Sequence, residues 1–79
     1  MITITVNGQS RSEEAAFSVA DLVADLTGIR VDAAGAIPDG GALGTAVAVN
    51  SVVVPRAGWT AEELADGDIV EIVSATQGG

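Results

Sequence analysis

The chain closes on Gly78-Gly79, and with no side chains there the group available for chemistry is the backbone carboxylate of Gly79. A glycine pair at a terminus also suits a frayed tail. The apolar run Ile69 to Val73 just upstream favours a chemical handle, because a strand there would carry the carboxylate out from a sheet on a short arm. Little else in the chain competes with it. Cys, His and Tyr are absent, and the basic side chains are Arg11, Arg30 and Arg56. No side chain therefore has an ordinary pKa near neutrality, and there is no thiol-imidazole nucleophile and no soft metal site. Autonomous catalysis is therefore not expected. Asp66-Gly67-Asp68 has too few oxygen ligands in too short a span for a calcium loop and reads as a tight turn; no metal site is expected.

At 79 residues the chain makes one small domain with a thin, aliphatic core, since aromatic residues are only 3% of it, Phe17 and Trp59. No apolar stretch approaches the roughly 18 residues that would span a membrane, and the first residues lack the regions of a signal peptide, so a cytoplasmic location is expected. The absence of Cys fits that compartment. A net charge of -8 repels nucleic acid and anionic lipid, so neither is expected as a partner, whereas it favours encounter with a basic protein face.

The elements that must position the tail can be read in order. Ile2, Ile4 and Val6 alternate with Thr3 and Thr5, the period of a half-buried strand. Asn7-Gly8 predicts a type I′ turn, which needs positive φ at both central residues, so the returning strand falls within Gln9 to Ala16. Ser18 is an N-cap with Asp21 at capping-box spacing; Val19, Leu22, Val23 and Leu26 form a helical core stripe, and Gly28 is placed to end the helix. Alternation returns at Ala46 to Val49, turns at Asn50-Ser51 and runs through Val52 to Val54 until Pro55 stops it near a sheet edge. Thr60 and Glu63 have capping-box spacing, predicting a helical turn over 60–64, with Trp59 and Leu64 reaching the core. In the last strand Val70 and Ile72 share one face, and Ile69, Glu71 and Val73 the other.

Between helix and third strand, residues 29–44 carry Pro38-Asp39-Gly40-Gly41 and little periodicity, and read as a flexible loop pinned by Val31 and Ile37. The glycines there lack the Lys-Ser, Lys-Thr or Gly-x-Gly-x-x-Gly context of a phosphate cradle. Residues 75–79 read as a mobile tail. This order gives a two-layer α+β domain with a helix on one sheet face, leaving Ile69, Glu71 and Val73 on the other as a partner-docking patch.

Val47-Ala48-Val49-Asn50, Val53-Val54-Pro55-Arg56, Trp59, Leu64, Asp66-Gly67-Asp68, Val70-Glu71-Ile72-Val73 and Ala75-Thr76-Gln77-Gly78-Gly79 together resemble the ThiS family of thiamine-biosynthesis sulfur carriers. Ile4-Thr5-Val6-Asn7-Gly8 and the helix from Val19 to Leu26 extend the resemblance to all but the middle loop. An Asp-Gly-Asp before an apolar strand and Gly-Gly occurs in several ubiquitin-like proteins; the ordered run from Val47 to Gly79 is more specific. Two positions depart from the family pattern. The segment from about residue 29 to 44 is longer than the usual connection, and Ser51 stands where Gly commonly follows Asn.

The resemblance implies a β-grasp, ubiquitin-like fold: a mixed sheet packed on one helix. It also implies that an ATP-dependent, ThiF-like activating enzyme adenylylates Gly79, that a cysteine desulfurase relay replaces AMP with sulfur, and that the thiocarboxylate supplies a ThiG-like thiazole synthase. No bound cofactor is implied beyond the covalent acyl-adenylate or thiocarboxylate at Gly79, and Gln77, Gly78 and Gly79 would thread into partner sites, where a Cβ on either glycine would be in the way. The small subunit of molybdopterin synthase and a ubiquitin-like modifier or interaction module are the alternatives.

Overall fold

In a computed structural model, which describes residues 1–32, 34 and 44–74, five strands and one helix follow the expected order. The strands are β1 (Ile2–Val6), β2 (Gln9–Glu13), β3 (Thr45–Val49), β4 (Val52–Val54) and β5 (Ile69–Ser74), with α1 at Val19–Thr27. They form one mixed sheet in the order β2-β1-β5-β3-β4, so the last strand lies at its centre. β5 runs parallel to β1, with Val6 beside Val70, and antiparallel to β3, with Val47 beside Ile72. Antiparallel partners β2 and β4 form the two edges.

Asn7-Gly8 has the positive-φ turn its sequence predicts, and Asn50-Ser51 adopts the same backbone although Ser stands at its second position. Asn7 and Gly8 lie at φ 50° and 84°, and Asn50 and Ser51 at 51° and 71°. Helix α1 packs Val19, Ala20, Leu22 and Val23 against Ile4, Val6, Val47, Val49 and Val70, with Trp59 and Leu64 closing the core. Leu26 departs from the expected stripe: it is 46% exposed, beside the polar helix-side residues Gln9 and Arg11 of an edge strand. Those residues lie on the helix side of the sheet because Val6 pairs with Gln9 and Ile4 with Arg11. The Arg11 guanidinium ties β2 to the helix by binding Glu13 and Asp25.

Three N–H groups at the helix start that lack intrahelical acceptors are all satisfied. Val19 donates to the Glu62 carbonyl (2.9 Å), Ala20 to that of Trp59 (3.1 Å), and Asp21 to Ser18 Oγ (3.1 Å). Asp21 completes the capping box by accepting from the Ser18 amide, and this bond holds its carboxyl below the usual carboxylate range. Gly28 ends the helix at φ 77° and donates to Ala24.

The same contacts explain why the expected helical turn over 60–64 does not form. The Glu62 carbonyl, with that of the preceding Trp59, caps α1, Leu64 N–H donates to the Phe17 carbonyl, and Glu63 bridges to Ser18. The Thr60 hydroxyl donates to the Asp32 carbonyl instead of capping its own segment. The local helix sits earlier, as a 3-10 turn at Arg56–Gly58.

At the start of the expected loop Val31 is buried, as anticipated. Ile37 and the rest of that loop over 35–43, with residue 33, lie outside the described residues, as does the expected mobile tail at 75–79.

Candidate docking face and C-terminal arm

β5 alternates as its sequence requires. Val70 is fully buried toward the helix, whereas Ile69, Glu71 and Val73 project from the uncovered face, Ile69 55% and Val73 68% exposed. Sheet register sets their neighbours. Ala46 lies beside Val73, Ala48 beside Glu71, and Thr5 beside Ile69. Across Ala48 stands Val53 of β4, itself 69% exposed. The three expected docking residues thus share one face, with small side chains between them and Val53 and a carboxylate in the middle. Val53 adds to the expected patch a residue whose phase within Val52-Val53-Val54 puts it on that face.

The turn before β5 is built from backbone contacts. Asp66 Oδ1 accepts from Thr3 N–H (2.7 Å), and Asp68 accepts from Ala65 N–H and from the Asn50 carboxamide. These carboxylates are committed to ordering the chain, in keeping with a turn at Asp66-Gly67-Asp68. Among the described residues no cluster of acidic, His or Cys side chains is placed to hold a metal ion. Open depressions of about 330 and 510 Å³ lie between β2 and α1 and between β4 and residues 62–68. Their linings carry no imidazole, thiol or hydroxyl nucleophile.

Arg11 and Arg30 are paired with carboxylates, so the excess of negative charge is left to the surface. No helix among the described residues is long and apolar enough to cross a membrane. The backbone of Ser74 pairs with Thr45 at the end of β5. Gln77, Gly78 and Gly79 lie outside the described residues. Five residues follow Ser74, a length that can reach at most about 18 Å.

A model of the ThiS family matches residues 4–79. No curated protein matches the chain. Among solved structures, it is similar to the crystal structure of a thiamine biosynthesis protein (ThiS) from Geobacter metallireducens, at 28% identity and TM-score 0.64, covering 99% of this chain and all of the other. The solution structure of a thiamine biosynthesis protein from the same organism aligns at 28% identity and TM-score 0.63, over 99% of this chain and 88% of the other. The mixed five-stranded sheet with one helix is the β-grasp architecture shared with these structures. With the family match spanning nearly the whole chain, this protein belongs to the ThiS family.

Proposed function

We propose that this chain is the sulfur carrier of thiamine biosynthesis, with the Gly79 carboxylate as the group that is activated and loaded. The observation that carries this reading is the ThiS match over residues 4–79, which takes in the Gly-Gly end. It is supported by a lack of Cys and His and by an apolar uncovered face on the strand that leads to that end. The chain is a protein co-substrate, not an enzyme.

A carboxylate is a poor electrophile, so it must first be activated. One oxygen of Gly79 attacks the α-phosphorus of ATP in the activating enzyme, releasing pyrophosphate and leaving an acyl-adenylate. The terminal sulfur of a persulfide carried by a cysteine desulfurase relay then attacks the acyl carbon, and AMP departs with that oxygen. A second thiol of the relay cleaves the S–S bond of the acyl disulfide, leaving a thiocarboxylate and a relay disulfide. The resulting thiocarboxylate donates its sulfur to thiazole synthase. Ile69, Glu71 and Val73, joined by Val53, dock the partner while Gln77, Gly78 and Gly79 enter its site. Apolar contact there supplies affinity, and Glu71 favours a basic counterpart.

Intact-mass measurement after incubation with activating enzyme, ATP and a sulfur source tests the chemistry. The mass should rise by the difference between sulfur and oxygen, and removal of Gly79 should abolish the rise; an unchanged mass in a competent assay would defeat the carrier reading. Val73→Lys, run through the same assay, should raise the KM for the carrier about tenfold by placing a positive charge against the basic counterpart that Glu71 favours. Co-purification with the large molybdopterin synthase subunit in place of thiazole synthase would reassign the pathway.

A further inference from the structure

We propose that Asn7 is a positioning residue that fixes the direction in which the end of β5 points toward the C-terminus. The inference rests on the carrier reading above. Its basis is a side chain that continues the ladder after the main chain has turned away. Along the parallel β1–β5 pair, Thr5 N–H donates to the Asp68 carbonyl and Asn7 N–H to the Val70 carbonyl, each at 3.0 Å. The next donor in that series would be the amide of residue 9, meeting the Ile72 carbonyl. Gly8, at φ 84°, has already turned the chain into β2, so residue 9 does not supply it.

The Asn7 carboxamide does so instead. Its Nδ2 donates to the Ile72 carbonyl at 3.1 Å, and its Oδ1 accepts from Ile72 N–H at 2.9 Å. One side chain therefore gives Ile72 the two bonds that a neighbouring strand would give. On the opposite edge of β5, Ile72 is matched by Val47, so the strand is flanked on both sides through this residue.

Ile72 lies immediately before Val73 of the docking face, with Gly79 seven residues further on. A partner that grips the face and receives the carboxylate depends on the path of β5 between the two. Release of Ile72 from Asn7 leaves the end of β5 held from the β3 side alone, through the Ala46–Val73 and Thr45–Ser74 pairs, and so loosens the direction in which the strand ends. Pairing with Ala46 keeps Val73 on the docking face, so productive placement of Gly79 should suffer more than binding.

Asn7→Gly is the discriminating variant, because glycine keeps the positive φ of the turn and removes only the carboxamide. Asn50→Gly is its counterpart, since Asn50 accepts from Ile69 N–H (3.0 Å) at the other end of the strand. With the activating enzyme and ATP, pyrophosphate release should show kcat for Asn7→Gly falling about tenfold with KM within about twofold. Asn50→Gly should keep kcat within about twofold. Amide exchange at Ile72 should quicken about tenfold in the Asn7 variant alone. Wild-type-like kcat for Asn7→Gly, or an equal loss in Asn50→Gly, would overturn the proposal. Failure of the wild-type chain to be adenylylated would instead overturn the carrier reading on which it rests.

Discussion

The two hairpins use one turn design for opposite ends of β5. In each, Asn opens a two-residue turn with positive φ, and its carboxamide accepts from a β5 amide. Asn7 meets Ile72 near the strand's end, whereas Asn50 meets Ile69 at its start. Strand direction makes the difference: β1 runs parallel to β5 and finishes toward its end, and antiparallel β3 finishes at its beginning. A local device thus acquires its role from the neighbour beside which the chain places it.

Their fastening to the domain differs as well. The outer strand of the first hairpin, β2, is tied to α1 by the Arg11–Asp25 ion pair, partly exposed and of a kind worth about 0–1 kcal/mol. The second is anchored by Trp59, only 1% exposed, whose Nε1 donates to the Val54 carbonyl at 2.9 Å. Trp59→Ala should therefore cost about 3–5 kcal/mol in urea unfolding. A loss below about 1 kcal/mol would mean that the second hairpin does not depend on its aromatic anchor.

Exchange of the second turn residues tests whether the turns are equivalent. A Cβ on residue 8 would meet nothing within 4 Å, so Gly8→Ser costs only the left-handed backbone. Balanced against the greater entropy of unfolded glycine, that is about 0.5–1 kcal/mol. Ser51→Gly should gain a similar amount, and equal signs for the two would refute a common backbone requirement. The smallest effect is expected at the helix cap, where the segment after β4 meets α1. Because Asp21 titrates below its ordinary range, chiefly through the Ser18 amide, its contribution is present above the unfolded pKa of about 4 and lost as pH falls through the lower folded value. Asp21→Asn should flatten the decline of Tm between about pH 5 and 2; an unaltered slope would show that other groups control it.

Much of the fold was legible because its signals are local. Asn7-Gly8, the Ser18–Asp21 capping box and the alternation of β5 each act over a few residues. The reading failed where distant partners took over. Thr60 and Glu63 have the spacing of a cap, yet the backbone around them was drawn to Ser18 and the first helical amides. Leu26 keeps helical phase but sits beside the polar helix side of β2. Of the candidate site, Ile69, Glu71 and Val73 followed from period two, whereas Val53 became visible through the pairing of β4 with β3.

The sequence by itself determined the turns, the helix limits, which side of β5 faces outward and the side-chain-free character of the last two residues. Steric limits on φ and side-chain periodicity act within a few residues, so no distant contact is needed to specify them. Only the tertiary structure decided that the last strand occupies the middle of the sheet, that Val53 joins its exposed face, and that Asn7, 65 residues upstream of Ile72, completes its ladder. Those outcomes depend on strand order and direction, which arise when segments far apart in the chain pair and bury a common core.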